Sequence, residues 1–161
     1  MIRPAHESDL AAIRDLAYAI WPDTYGNILS AAQLAYMLDS FYSPDALTDS
    51  LRKGHRYLLV ETDVPVGFVA YQHDYEGRAV TRIHKIYVLP QTQGTGIGRE
   101  LIAHVEALAR SEEAQLLSLN VNRLNKAIGF YEKMGFEIVA RQDIAIGHGY
   151  LMEDYRMEKK L

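Results

Sequence analysis

The sequence contains no cysteine, which excludes disulfides, thiolate metal sites and cysteine nucleophiles. It has no excess of basic residues either: 17 lysines and arginines stand against 21 acids, a formal net charge of -4. A nucleic-acid-binding domain normally shows a basic stripe, and the short "MEKKL" run is not one. No apolar run approaches the ~18 residues that a membrane-spanning helix needs. The opening "MIRPAHESDL" lacks the basic-then-apolar order of a secretory signal. Neither a nucleic-acid nor a membrane partner is expected, and the expected compartment is the cytoplasm. Repeats, low-complexity tracts and linkers are missing, so residues 1–161 read as a single domain. The six histidines are dispersed without ligand spacing, so no metal is expected.

What remains is an ordinary globular composition, 48% hydrophobic and 24% charged. "MIRPA" reads as a short strand stopped by Pro4, and Ser8 as the cap of a helix with Leu10, Ile13, Leu16, Ala17 and Ile20 on one face. "WPDTYG" is expected to break that helix. Ser30 caps a second helix, and Ser43 caps a third with Pro44 at its first position, where the missing N–H is harmless. "RYLLVET" and "VPVGFVAYQHDY" form a hairpin about "DVP", and "AVTRIHKIYVL" is a strand ended by Pro90. A helix carrying Leu101, Ile102, Val105, Leu108 and Ala109 follows, then the strand "AQLLSLNV". The helix "NKAIGFYEKMG" closes on Gly135, and two last strands flank "GHG". The order predicts an α/β fold: a mixed sheet of about seven strands with helices on its faces.

The stretch "KIYVLPQTQGTGIGREL", residues 85 to 101, carries the chemistry. Three glycines follow a strand and open a helix. A helix N-terminus offers free N–H groups and partial positive charge, a ready phosphate site. Gly94, Gly96 and Gly98 clear side chains from the amides of residues 93 to 98, and Arg99 adds charge on the first turn. The dinucleotide spacing G-x-G-x-x-G fails, because the third glycine falls on Arg99 or Leu101. The ATP P-loop fails too, because Arg-Glu follows Gly98 where Lys-Ser/Thr is required.

The spacing that fits is R/Q-x-x-G-x-G/A, the acetyl-CoA-binding motif of the GNAT superfamily of N-acetyltransferases, which the chain resembles over essentially its full length. It matches as Gln93-x-x-Gly96-x-Gly98, the preferred register, and as Gln91-x-x-Gly94-x-Gly96. The resemblance implies a mostly antiparallel sheet with a splayed central strand pair. Unpaired backbone of "IYV" (Ile86, Tyr87, Val88) would hold the pantetheine arm, and Gln93, Gly94, Thr95, Gly96, Ile97, Gly98 and Arg99 the pyrophosphate. "VNRLNKAIGFYEKMGF", residues 121 to 136, is similar to the superfamily's C-terminal signature and makes Tyr131 the general acid for the departing thiolate. Asn125 stands two residues before Ala127 rather than three, so either Asn122 or Asn125 is the coenzyme contact.

Many members carry Glu three residues before the Tyr of the strand; here that residue is His84, either the base or a residue that lines and positions the acceptor. Asp23, Thr24 and Tyr25 lie where a loop would build the acceptor pocket, with Tyr25 the favoured acceptor contact. Trp21, Tyr36, Phe41 and Tyr42 read as aromatic core, and His73-Asp74 as a solvated turn. The implied activity is acetyl transfer from acetyl-CoA to a primary amine of a small molecule (polyamine-like or amino-acid-like) or a peptide. The flavour of "IHKIYVLP" and "DYRMEKKL" is similar to the PaiA-like polyamine acetyltransferases. The alternatives are a non-catalytic acyl-CoA-binding module and a protein N-terminal acetyltransferase. "LLSLNVN" lacks the acid of the latter. The last strands are available to pair across a homodimer.

Overall fold

The structure, a computed structural model, describes residues 1–161. Seven strands form one sheet in the order β1-β2-β3-β4-β5-β7-β6. They are β1 (Ile2–Pro4), β2 (Arg56–Glu61), β3 (Pro65–Gln72), β4 (Val80–Val88), β5 (Leu116–Asn122), β6 (Glu137–Gly147) and β7 (Tyr150–Lys160). All neighbours are antiparallel except β4 and β5. The helices are α1 (Leu10–Tyr25), α2 (Ala31–Tyr42), α3 (Pro44–Arg52), α4 (Ile97–Ser111) and α5 (Ala127–Lys133). None of them is long and apolar enough to cross a membrane.

The strands are apolar on both faces because helices cover both. Alternate residues of β2 divide between two cores: Leu58 and Val60 face α4 and α5, while Tyr57 and Leu59 face α1, α2 and α3. β3 divides likewise, with Val69 and Tyr71 on one side and Phe68 and Ala70 on the other. Leu101, Ile102 and Val105 put the apolar face of α4 fully inside the first core. Trp21, Tyr25 and Tyr42 belong to the second, with Phe41 packed against it.

Two boundaries differ from the sequence reading. Ser8 does not cap α1. A 3-10 turn over Glu7–Asp9 precedes the helix, and the Asp9 carboxylate accepts from the His6 amide at 2.7 Å. A charged acceptor outcompetes a hydroxyl here because Arg3 grips Asp9 through both terminal nitrogens at 2.9 Å. The Arg3 hydrogen bonds hold the Asp9 carboxyl down at about 2. Nor does "WPDTYG" end α1, which runs through Pro22 to Tyr25. Proline removes one ladder bond, but stopping at Trp21 would leave Tyr25 outside the core that it and Trp21 share. The turn falls instead at Gly26 to Leu29, where the Gly26 amide returns to Pro22 and those of Ile28 and Leu29 to Tyr25. Asp23, Thr24 and Tyr25 are therefore helical, not loop residues. The other caps stand as read: Ser30 accepts from Gln33, Ser43 accepts from Ala46, and Gly135 closes α5 at φ +99°.

Ile102 has no exposed surface, so Ile102→Ala is expected to cost about 2–5 kcal/mol in urea unfolding. Val139→Ala, on exposed β6, should stay within about 0.5 kcal/mol.

Candidate active site

The site begins where two strands part. β4 and β5 pair from Val80↔Leu116 to Ile83↔Leu119 and no further, although β4 continues to Val88 and β5 to Asn122. The Leu89 amide bonds to Val66 of β3 at 2.8 Å, so odd-numbered residues of this stretch turn their backbone toward β3. Ile86 and Val88 turn theirs into the gap, where no strand meets them. The predicted splay is present, with these groups facing it. Gln93 extends its side-chain amide to the Val88 carbonyl at 3.3 Å, tying the following loop to the end of the strand.

Beyond the gap lies the glycine loop. Gly94 and Gly96 adopt φ of +82° and +88°, and a Cβ at either would meet nothing within 4 Å. Glycine is needed there for the backbone angle rather than for space. The loop is held from within: Thr92 donates to Leu89 and Thr95 to Thr92. The first amide of α4 to turn back is Glu100, onto Gly96 at 3.0 Å, and the amides of Gly94 through Arg99 donate to no group of the chain. A run of free N–H groups at the start of a 15-residue helix fits a pyrophosphate. Gly98 differs from the other two: a Cβ there would touch Phe130 at 3.5 Å, so it permits α4 to approach α5.

Tyr131 on α5 is buried in the core beneath the gap, and its hydroxyl makes no hydrogen bond within the chain. Burial pushes its pKa well up, and the nearby Tyr25 pushes it further. Tyr25 bonds hydroxyl to hydroxyl with Tyr87 at 2.8 Å and is itself pushed up to about 12 by burial. Asn122 and Asn125 hold the turn into α5: Asn122 Oδ1 accepts from the Leu124 amide and Asn125 Oδ1 from the Ala127 amide, both at 2.9 Å. The Asn125 side chain also bonds to the Tyr25 hydroxyl, whereas the Asn122 amide nitrogen has no partner within the chain. Arg123 fastens that turn to β6 and β7 through Asp143 at 2.8 Å and the Glu153 carbonyl.

On the opposite face of the sheet is a cavity of about 390 Å³, lined by α1, α2, α3, β4, β5 and β7. A β-bulge shapes its floor. Ala70 faces Lys85 and Tyr71 faces Ile83, so His84 is the extra residue and both His84 and Lys85 line the cavity. His84 Nε2 meets Gln72 Oε1 at 2.9 Å, and its ring stacks on His55 at 3.8 Å and 9°. Burial lowers the His84 pKa to about 3, with His55, Arg82 and Lys85 adding to it. Lys85 Nζ donates to the Tyr57 hydroxyl at 3.1 Å and lies 4.7 Å from the Tyr42 ring centre; burial lowers it to about 8. Asp154 of β7 faces the same space, only 7% exposed, and burial raises it to about 6 against Arg82 and Arg123. The hairpin of β6 and β7 roofs the cavity: Gln33 donates to the Leu151 carbonyl at 2.8 Å, and Tyr36 to that of Ile146.

The comparisons accord with this geometry. Residues 10–136 match the family model for "Acetyltransferase (GNAT) family". The chain belongs to the GNAT family. Among similar proteins, the peptidyl-lysine N-acetyltransferase YjaB of Salmonella typhimurium is 32% identical over 87 residues, covering 53% of this chain and 52% of that protein. The chain thus matches about half the length of that relative. An aminoglycoside N(6')-acetyltransferase of Stenotrophomonas maltophilia is 30% identical over 145 residues, covering 81% of this chain and 86% of the relative. The PaiA N-acetyltransferase of Thermoplasma acidophilum, solved with coenzyme A, has the same fold (TM-score 0.83, 24% identity, 100% and 98% of the two chains).

The structure gathers Ile86, Tyr87, Val88, the Gln93–Arg99 loop, Asn122, Asn125 and Tyr131 around the gap, with Tyr25 and His84 on the cavity wall. His73 lies elsewhere, bonded to Thr81 at 2.8 Å and half-buried rather than solvated. No group of three potential metal ligands gathers. Arg82, Lys85, His55, Asn120 and Asp154 also line the cavity, and none of them is singled out by a local sequence motif. The adjacent polar pair His84-Lys85 was the available signal, since two consecutive residues face one side of a strand only at a bulge.

His84 sets an acid limit. It is neutral in the fold down to about pH 3, whereas the unfolded residue titrates near 6.5. The unfolded state therefore binds the extra proton, and stability present above pH 6.5 is lost as pH falls toward 3. His84→Asn should flatten the fall in Tm between pH 6.5 and 4.

Proposed function

We propose that the protein is an N-acetyltransferase that moves the acetyl group of acetyl-CoA directly to a primary amine of a small molecule or a peptide. The observation that carries this reading is the splayed gap with a run of free helix amides at one end and the unbonded, buried Tyr131 hydroxyl beneath it. The donor supplies a thioester carbonyl open to attack and a thiolate leaving group.

In this reading the amides of Gly94 to Arg99 receive the pyrophosphate, and the even-numbered backbone groups of Ile86 and Val88 receive the pantetheine arm as a strand would. The neutral amine forms the new C–N bond, the C–S bond breaks, and the amine loses one proton while the thiolate gains one. Tyr131 directs its O–H at the departing sulfur; burial keeps the phenol protonated at neutral pH and able to donate. His84 stays neutral and oriented by Gln72 and His55, which suits positioning of the acceptor better than lasting storage of a proton. Tyr25, bonded to Tyr87, stands on the acceptor side of the gap.

Release of the coenzyme A thiol across a panel of amines tests the reading. Tyr131→Phe should lower kcat by about 10²–10⁴ with the Kd for acetyl-CoA little changed. Gly96→Ala, strained at φ +88°, should raise that Kd instead. Tight acetyl-CoA binding without thiol release on any amine would make the protein a sensor rather than an enzyme.

A further inference from the structure

We propose that the acceptor carries both an amine and an anionic group: Asp154 receives the amine, and Lys85, at another part of the same cavity, receives the anion. The inference rests on the transferase reading and assigns the acceptor's chemical class.

Lys85 is a half-buried cation without a counterion. Its ammonium has the Tyr57 hydroxyl at 3.1 Å, the Phe41 carbonyl at 3.4 Å and two tyrosine rings, and no carboxylate within ion-pair distance. A buried ammonium bears a large desolvation cost that neutral partners offset in part; an anion offsets far more. The surrounding wall has the same sign. Burial lowers both imidazoles, and neighbouring charges add to it: Lys85 and Lys53 at His55, and His55, Arg82 and Lys85 at His84. The one acid on that side, Asp49, is already paired with Lys53 at 2.8 Å.

Asp154 is the converse. Its side chain forms no hydrogen bond and no salt bridge, although it is buried between Asn122 of β5 and Gln142 of β6. Arg82 and Arg123 act on it from a distance, yet Arg82 bonds to Ser118 and Arg123 to Asp143 instead. The carboxylate's outlet is the cavity, on the side of Tyr25, the tyrosine that acts on Tyr131. An ammonium arriving there meets a carboxylate able to take a proton from it beside the reacting centre. A polyamine would place its second ammonium against Lys85, a like-charge contact inside the cavity. The volume of about 390 Å³ falls at the small end of ligand pockets.

The test uses a homologous series of ω-amino carboxylates, with alkylamines and diamines of the same chain lengths, and follows thiol release from acetyl-CoA. At the best length, kcat/KM should fall from carboxylate to alkylamine to diamine, by at least about tenfold from first to last, the ratio that 1.4 kcal/mol of differential interaction produces. In Lys85→Gln the ratio of carboxylate to alkylamine should fall close to unity. In Asp154→Asn every amine should lose turnover. Binding alone gives a separate reading by NMR: an ω-amino carboxylate should raise the pKa of His55, because its anion offsets Lys85 and Lys53, while the matched alkylamine should not. Equal or better turnover of diamines would overturn the proposal and leave the transferase reading intact. Absent turnover with the His55 shift present would keep the anion site and remove the transferase.

Discussion

The hydrogen-bond ladder between β4 and β5 ends after Ile83 and Leu119, and the features of the candidate site are arranged about that ending. Four residue pairs hold the strands side by side at one end of the sheet. Beyond them Ile86 and Val88 present peptide groups to a space in which no other strand stands. Buried backbone polar groups need partners, so the gap is a template for an extended, amide-bearing molecule. It also joins the two faces of the sheet. On one face α4 and α5 bring the free amides and Tyr131; on the other, α1, α2 and α3 enclose the cavity. The two halves meet through the tyrosines, because Tyr25 bonds to Tyr87 and acts on Tyr131.

Burial does the electrostatic tuning. It holds three phenols protonated, keeps His84 and His55 neutral, lowers a lysine and raises an aspartate. Elsewhere the chain neutralises its charges in contact pairs, such as Arg3 with Asp9 and Glu61, or Lys159 with Glu106. Inside the cavity Lys85 and Asp154 are left without such partners, a contrast that marks the region as built to meet charge from outside.

The strands, the glycine loop and the signature helix were legible in the sequence because each rests on local rules. Alternation on β2 and β3, the serine caps of α2 and α3, and Gly135 after α5 are decided by residues within a turn or two of themselves. What was not legible depends on distant parts of the chain. Ser8 lost its cap to Asp9 because Arg3, across a turn, was also bound to Glu61 of β2. Pro22 stayed helical because tertiary packing of Trp21 and Tyr25 outweighs one lost bond. The residue of β4 that bulges is fixed by its register with β3, so the pairing of His84 and Lys85 on one wall emerges only in three dimensions. Asp154 reads as an ordinary acid of an edge-like strand until β7 is seated between β5 and β6.

That seating of β7 also orders events in time. The free amides, the gap and Tyr131 are all encoded by residue 136. The roof of the cavity comes from residues 146 to 152, bonded to Gln33 and Tyr36 across separations of 118 and 110 residues. Contacts of such span carry the largest loop-closure entropy in the molecule and form late. At ~5–20 residues per second, residues 137 to 160 emerge about 1–5 s after the signature helix. During that interval a nascent chain holds the proposed coenzyme cradle without the enclosed cavity, so on the proposed reading acceptor selection is acquired after donor binding.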